Sequence, residues 1–122
     1  MANPSKRKGT QWETDIVNGS RKAGHRAERI PNTGRLDESD VYIEIRGKGG
    51  GRRELIVEAK AERSIRLSAY VEEALAERDN YCKARGLDPA EFEAVAFVKR
   101  RNHSWAKGYA VTTIEEYLKH DR

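Results

Sequence analysis

Two short strand patterns separated by a glycine cluster constrain this chain more than any other feature. Residues 41–45 alternate apolar and polar side chains, and residues 53–60 contain a second, β-branched run. Four glycines and one lysine occupy residues 47–51 between them. Because glycine adopts the positive φ angles of tight turns at no steric cost, these three segments together predict a β-hairpin.

The open end of the predicted hairpin carries charged residues. Its second strand ends in Glu58-Ala59-Lys60. Because side chains alternate along a strand, we expect Glu58 and Lys60 on one face and Ala59 on the other. If the chain folds back within the glycine cluster, paired residue numbers add up to about 98–100, which places Asp40 opposite the 58–60 segment. The hairpin therefore predicts that Asp40 joins Glu58 and Lys60.

The N-terminal region predicts a basic arm followed by a helix. Residues 1–9 are polar and basic, which is typical of a flexible arm. Thr10, with Glu13 three residues later, has the form of a capping box, so a helix should begin there and end near Gly24. Its buried face is predicted from three apolar residues at helical spacing, Trp12, Ile16 and Val17. Glu13 borders this face, and two roles stay open for it: a cap, or a carboxylate near the hairpin end.

The rest of the chain predicts alternating helices and strands. In order, we expect a short strand and loop over residues 25–40, the hairpin, a helix over 64–85, strands over 93–98 and 108–112, and a terminal helix capped by Thr113. The helix over 64–85 should start at Ser64 or Ser68, end at Gly86 and bury the stripe Leu67, Val71, Ala74, Leu75 and Cys82. The predicted fold is a single α/β (α+β) domain over residues 10–122, with a mixed central sheet flanked by helices.

The charge balance indicates a polyanionic partner. The chain has 24 Lys and Arg against 20 Asp and Glu, a net charge of +4, and its cations occur in runs. The candidate phosphate-binding residues are Lys6, Arg7, Lys8, Arg26, Arg29, Lys99, Arg100 and Arg101. A solvated surface is the alternative interpretation of each run taken singly.

Cysteine content and hydropathy predict the compartment. The single cysteine, Cys82, cannot form an internal disulfide, and no Cys/His spacing resembles a zinc site. The N-terminus has no apolar signal region, and no apolar run is long enough to span a bilayer. We therefore expect a cytoplasmic protein without a membrane partner.

The predicted charged group favours metal-dependent chemistry. Asp40 and Glu58, with Glu13 approaching from the first helix, would place two or three carboxylates beside the ammonium of Lys60. Carboxylates without histidine or cysteine favour a hard cation, Mg²⁺ or Mn²⁺. Such an ion activates water and stabilises a phosphodiester that is under attack, while Lys60 can orient the water or neutralise charge. Phosphodiester hydrolysis is the reaction that this group of residues predicts.

These residues, in this order, resemble the PD-(D/E)XK nuclease superfamily. The chain is most similar to the small archaeal and phage Holliday junction resolvases, over roughly residues 8–119. The resemblance implies a restriction-endonuclease-like fold and a Mg²⁺-dependent endonuclease that acts as a homodimer on four-way or other branched DNA. One motif position differs, because Ser39 stands where the family motif has proline before the aspartate.

The resemblance also implies a role for each site residue. Asp40 and Glu58 would bind the metal together with the backbone carbonyl of Ala59. Glu13 would be a further ligand through water, and Lys60 would be the catalytic lysine.

Two other functions fit the same sequence. One is a restriction-type or repair nuclease that cuts linear, nicked or single-stranded DNA, because one fold can host many substrates. The other is a non-catalytic nucleic-acid-binding module in which Glu58 and Lys60 form only a surface ion pair, worth ~0–1 kcal/mol.

Overall fold

The computed structural model describes residues 4–31, 36–47 and 49–119, with side chains from residue 9 onward. Within these residues the elements follow the predicted order. They are α1 (Pro4–Lys22), β1 (Arg26–Arg29), β2 (Val41–Arg46), β3 (Arg52–Lys60), α2 (Leu67–Arg85), β4 (Glu93–Val98), β5 (Tyr109–Val111) and α3 (Ile114–Lys119), with short 3₁₀ turns at Pro89–Glu91 and Trp105–Lys107. None of the helices in these ranges is long and apolar enough to cross a membrane.

The five strands form one mixed sheet in the order β1-β2-β3-β4-β5. Strands β3 and β4 are parallel and are joined through α2, whereas the other neighbours are antiparallel. A parallel pair needs such a crossover connection, which explains why the longest helical pattern follows β3 directly. The predicted α/β (α+β) class, with a mixed sheet, a hairpin and flanking helices, is confirmed.

The hairpin has the predicted register. Val41 lies opposite Val57 and Glu44 lies opposite Glu54. Gly49 and Gly50 have φ angles of 85° and 88°, values that glycine adopts without steric cost, so the turn forms within the glycine cluster. Asp40, one residue before the first of these pairs, therefore meets the end of β3 at Glu58.

Each face of the sheet is covered by a helix. One face packs against α1 through a cluster made of Trp12, Ile16, Val17, Ala27, Val41, Ile43, Leu55, Val57 and Val95. The opposite face packs against α2 through Tyr42, Ile56, Cys82 and Phe92. Because both faces of β2 are covered, Tyr42 and Glu44 are buried as well, which the simple alternation of this strand does not predict.

The predicted start of α1 is wrong. The helix begins at Pro4, and proline suits a first turn because its φ angle is already helical and that turn needs no N–H donor. Thr10 therefore lies inside the helix and cannot cap it. Residues 4–9, expected in an arm, continue α1, and residues 1–3 lie outside the described part. The predicted buried face is confirmed, because Trp12, Ile16 and Val17 are all buried.

The predicted start and part of the buried stripe of α2 are also wrong. The helix starts at Leu67 without a side-chain cap, so neither Ser64 nor Ser68 caps it, whereas Gly86 ends it at a φ of 67° as predicted. Its buried residues are Tyr70, Ala74, Arg78 and Cys82, and Leu67 is exposed. The buried face therefore differs from the predicted one. It includes Arg78, whose burial is possible because its guanidinium donates to Glu116 and to the Phe92 carbonyl.

Candidate active site

The open end of the hairpin borders a cavity of about 580 Å³ between the end of β3, α1, α2 and the segment that leads into β2. It brings together Glu13, Asp40, Glu58 and Lys60, the four side chains proposed from the sequence. Seven of the twelve residues that line it are acidic and one is a lysine: Glu13, Asp37, Glu38, Asp40, Glu58, Glu73 and Glu77, with Lys60. The cavity is therefore strongly electronegative.

The backbone of β3 fixes the position of Asp40. The backbone N–H of Ala59 donates to Asp40 Oδ2 at 2.8 Å. The Asp40 backbone N–H donates to the Val57 carbonyl at 3.1 Å, and its carbonyl accepts from Ile30 at 2.9 Å. Three hydrogen bonds thus hold this residue, and its carboxylate points toward the end of β3. The role proposed for the Ala59 carbonyl as a metal ligand stays a prediction.

Glu58 is a buried carboxyl among other acids. Its exposed fraction is 6%. Burial, hydrogen bonds with Asp40 and Glu77, and the charges of those two acids all raise the pKa of Glu58 far above its usual value. In the absence of a cation, burial and these neighbours favour the protonated form of Glu58, which has one O–H to donate to Asp40 or Glu77. This burial does not fit the alternative in which Glu58 and Lys60 form a surface ion pair.

Two further acids come from α2 and were not found in the sequence. Oxygen atoms of Glu58, Glu73 and Glu77 all lie within 4.8 Å of one another. Burial raises the pKa of Glu77, and the charges of Asp40, Asp37 and Glu73 add to this, although its hydrogen bond with Glu58 lowers the pKa. Glu73 and Glu77 are four residues apart and so share a helix face, which is the signal that the sequence offered. That face could not be assigned to the cavity because the buried stripe of α2 was placed incorrectly.

Lys60 contacts an acid that the sequence did not pair with it. Its Nζ lies 2.5 Å from Glu73 Oε2 and 5.3 Å from the centre of the Tyr70 ring. Burial lowers the pKa of Lys60, but the Glu73 hydrogen bond and the charges of Glu58, Glu73 and Glu62 outweigh it and raise the pKa overall. Lys60 is therefore a cation that lies beside the cluster of Glu58, Glu73 and Glu77.

Glu13 does not cap α1. The helix begins nine residues before it, and the side chain is half-buried and faces the cavity. Burial and the charge of Asp40 raise the pKa of Glu13, and Arg29 opposes them from 3.7 Å. Arg29 also donates to the Thr10 carbonyl at 2.9 Å. Of the two roles left open for Glu13, the capping role is wrong.

The proposed phosphate-binding cations are in three different places. The side chains of Lys6, Arg7 and Lys8 lie outside the described part of the chain. Arg26 pairs with Glu28 at 3.2 Å and lies over the Tyr42 ring, and Arg29 contacts Glu13 as described above. The remaining cations, Lys99, Arg100 and Arg101, line a second cavity. Among the cations whose side chains are described, Arg29 contacts Glu13 of the acidic cavity, and Lys99 donates its backbone N–H to the Lys60 carbonyl.

The donor set fits a hard divalent cation. The candidate ligands are carboxylate oxygens, the donors that Mg²⁺, Mn²⁺ and Ca²⁺ prefer. Burial and the neighbouring acids raise the pKa values of Glu58 and Glu77, which shows that carboxylate charge is unfavourable here, and a bound cation would relieve the repulsion among these acids. The donors do not distinguish Mg²⁺ from Mn²⁺.

Comparison with known proteins does not assign the chain to a family. No protein-family model matches it, and no match was found among curated proteins or solved structures. The resemblance to the PD-(D/E)XK nucleases therefore stays a prediction, and function is argued from the cavity itself.

Proposed function

We propose that this protein is a Mg²⁺-dependent endonuclease that hydrolyses phosphodiesters in branched DNA, as a Holliday junction resolvase does. The observation that carries the proposal is the meeting of Asp40, fixed by the Ala59 N–H, with the buried Glu58 in a cavity that Lys60 also lines. Mn²⁺ would substitute for Mg²⁺.

Each side chain has a distinct part in the proposed reaction. Asp40 and Glu58 hold the cation, with the Ala59 carbonyl as a further ligand and Glu13 as a ligand through water. The cation supplies Lewis acidity toward the phosphodiester and lowers the pKa of water. Lys60, kept protonated by its acidic neighbours, stabilises the negative charge that develops on the phosphate.

Action on a four-way junction further requires two sites. A resolvase cuts two symmetrically placed strands, so we propose a homodimer with twofold symmetry. The exposed apolar side chains of α3, Ile114 and Leu118, are candidates for its contact surface. Light scattering across a concentration series checks the stoichiometry, and a monomer on DNA as well as in solution would contradict this part of the proposal.

Cleavage of labelled substrates tests the function. A four-way junction and a duplex of matched sequence are incubated with Mg²⁺ and wild-type protein, Glu58→Gln or Lys60→Ala. The matched control is Glu72→Gln, which neutralises an exposed acid one residue before Glu73 on α2. All four proteins are first checked for folding and for DNA binding.

The outcomes separate the candidate functions. Paired nicks on the junction alone, lost in Glu58→Gln and Lys60→Ala but kept in Glu72→Gln, support a resolvase. Equal cutting of junction and duplex would instead indicate a restriction-type or repair nuclease. If wild type binds DNA but cuts neither substrate in Mg²⁺ or Mn²⁺, the non-catalytic binding module is correct.

A further inference from the structure

A second cavity, of about 500 Å³, follows the acidic one along the same end of the sheet. Its walls come from the segment after β3 and the turn after β4. The cations in these walls are Arg63, Lys99, Arg100 and Arg101. Its charge is therefore opposite to that of the acidic cavity.

The two cavities are joined through the sheet. Lys60 lines the acidic cavity, and the next residue, Ala61, lines the basic one. The Lys99 backbone N–H donates to the Lys60 carbonyl at 2.8 Å, which extends the parallel ladder past the last strand residues. A strand of nucleic acid with one phosphate in the acidic cavity would thus place a neighbouring nucleotide in the basic one.

The cations of the basic cavity are available to a ligand. In the ranges that the structure describes, none of these four side chains forms an ion pair with a carboxylate. The acid in the cavity wall, Glu62, is already occupied, because it accepts from the Tyr70 hydroxyl at 2.7 Å and from Arg66 at 3.2 Å. Cations that form no ion pair and surround a concave surface favour a phosphate, and three of these four, Arg63, Arg100 and Arg101, are exposed.

The cavity also presents an aromatic and an aliphatic surface. Tyr109 and Ile65 line it and are 46% and 50% exposed, and Arg100 lies 5.7 Å from the centre of the Tyr109 ring. A site for phosphate alone needs no such surface. Cations combined with an exposed aromatic ring match a nucleotide whose base is free to stack.

We infer that the basic cavity binds one nucleotide next to the scissile phosphate, with its base unpaired and stacked on Tyr109 and its phosphate held by Arg63 and Arg101. This inference rests on the proposed function and deepens it. Bases inside a paired duplex are already stacked on each other, so such a cavity selects DNA that offers an unpaired nucleotide at a branch or fork.

Equilibrium binding in EDTA tests the inference without cleavage. The probes are a labelled duplex and a fork made from the same duplex with its strands unpaired at one end. A 2-aminopurine at the first unpaired position reports stacking through quenching of its fluorescence. The variants are Tyr109→Ala, which removes the ring, and the matched control Tyr109→Phe, which keeps it.

We expect Tyr109→Ala to weaken fork binding by about tenfold or more, to leave duplex binding within about twofold, and to abolish the quenching. Tyr109→Phe keeps the ring and should behave as wild type. Arg63→Ala and Arg101→Ala should weaken binding of both probes and reduce its salt dependence. Equal loss on fork and duplex in Tyr109→Ala, or no loss on either, would overturn the inference.

The result is independent of whether the protein cuts DNA. If wild type cleaves DNA but Tyr109→Ala binds the fork normally, the nucleotide site is wrong and the nuclease proposal stands. If wild type never cleaves yet shows a fork preference that depends on Tyr109, the nuclease proposal fails and the unpaired-nucleotide site is supported.

Discussion

The carboxylate of Asp40 accepts a hydrogen bond from the backbone N–H of Ala59, at 2.8 Å across the open end of the hairpin. This bond joins the residue before β2 to the last three residues of β3, which include Glu58 and Lys60. The position of the proposed metal ligand is thus set by strand register and does not depend on a flexible loop.

Glu58→Gln should abolish Mg²⁺-dependent cleavage without unfolding the protein. We expect activity to fall by at least about a hundredfold, because the change removes a ligand and its charge. The glutamine amide has two N–H donors where the protonated carboxyl has one O–H, so it can still donate to Asp40 or Glu77, and thermal stability without metal should stay the same or rise. Cleavage rates and melting curves check both parts. A soluble, folded variant with wild-type activity would show that Glu58 is not a ligand.

The metal-free protein should lose stability as the pH rises. Burial and neighbouring acids raise the pKa values of Glu58, Glu77 and Glu13 above the ordinary value of 4.5. The folded state therefore retains protons that the unfolded state has lost, and the free energy of unfolding falls as the pH rises through that window. Melting temperatures between about pH 5 and pH 8 measure the effect.

When the melting temperatures are measured again with Mg²⁺, the stabilisation by the metal should increase as the pH rises. Because the ligands bind the cation only when deprotonated, the increase in melting temperature caused by Mg²⁺ should grow with pH. The pKa values of Glu44, Glu62 and Glu116 are lowered, so these carboxyls lose their protons mainly below this pH range. They therefore do not reverse the expected loss of stability of the metal-free protein at higher pH. A stabilisation by Mg²⁺ that is constant across the range would contradict the carboxylate site.

Glu73→Gln should affect metal affinity more than maximal rate. Glu73, whose side chain is 41% exposed, belongs to the three-glutamate group and also holds Lys60 at 2.5 Å. Loss of its charge weakens the attraction for a cation while Asp40 and Glu58 remain. We expect the Mg²⁺ concentration for half-maximal cleavage to rise by about tenfold, with the rate at saturating Mg²⁺ largely kept. A loss of rate that no Mg²⁺ concentration restores would assign Glu73 a direct role in the reaction.

Ser39→Pro should damage the protein, although proline is the residue at this position of the PD-(D/E)XK motif. Ser39 has a φ of 78°, and proline is fixed near −65°, so the segment that leads into Asp40 would have to change its path. We expect a loss of more than about 1 kcal/mol in the free energy of unfolding, together with reduced cleavage. Ser39→Gly is the matched control, because glycine accepts this φ at no steric cost and should preserve both properties. Equal stability of the two variants would contradict this loop conformation.

Gly19→Ala should destabilise the contact between α1 and Trp105. A methyl group on Gly19 would lie 2.0 Å from Trp105 Cε2, so the indole would have to move. Overpacking of this kind costs about 1–3 kcal/mol, more than the gain of about 1 kcal/mol from the helix propensity of alanine. The control is Gly9→Ala in the same helix, where the methyl group meets nothing and should stabilise the protein. Denaturant titrations compare the two, and a destabilising Gly9→Ala would argue against a helix that starts at Pro4.

The hairpin, and with it half of the site, could be predicted from the sequence because both depend on local rules. The period of two along β3, together with the glycine cluster, fixed which residues pair, so Asp40 could be placed beside Glu58. The same rules gave the order of helices and strands, which is confirmed.

The contribution of α2 could not be predicted because it depends on contacts between distant parts of the chain. Arg78 is buried only because Glu116, 38 residues later, and the Phe92 carbonyl accept its hydrogen bonds. A hydrophobic stripe derived from the sequence treats arginine as a surface residue, so the wrong face of α2 is predicted to be buried. For this reason Glu73 and Glu77 are not predicted to face the cavity. The predicted start of α1 is wrong because the capping-box pattern of Thr10 and Glu13 can also occur inside a helix.

The charge of the acidic cavity implies that a cation must bind there before a phosphate can enter. Its acids outnumber its single lysine even when Glu58 is protonated, so without a cation it would repel a phosphate-bearing ligand, whereas the basic cavity beside it would attract one. A nucleic acid that reaches the metal-free protein would therefore rest on the basic surface, and its next phosphate would enter the acidic cavity only after a cation has neutralised it. If the proposed function is correct, the divalent ion would therefore control the entry of the phosphate as well as take part in its hydrolysis.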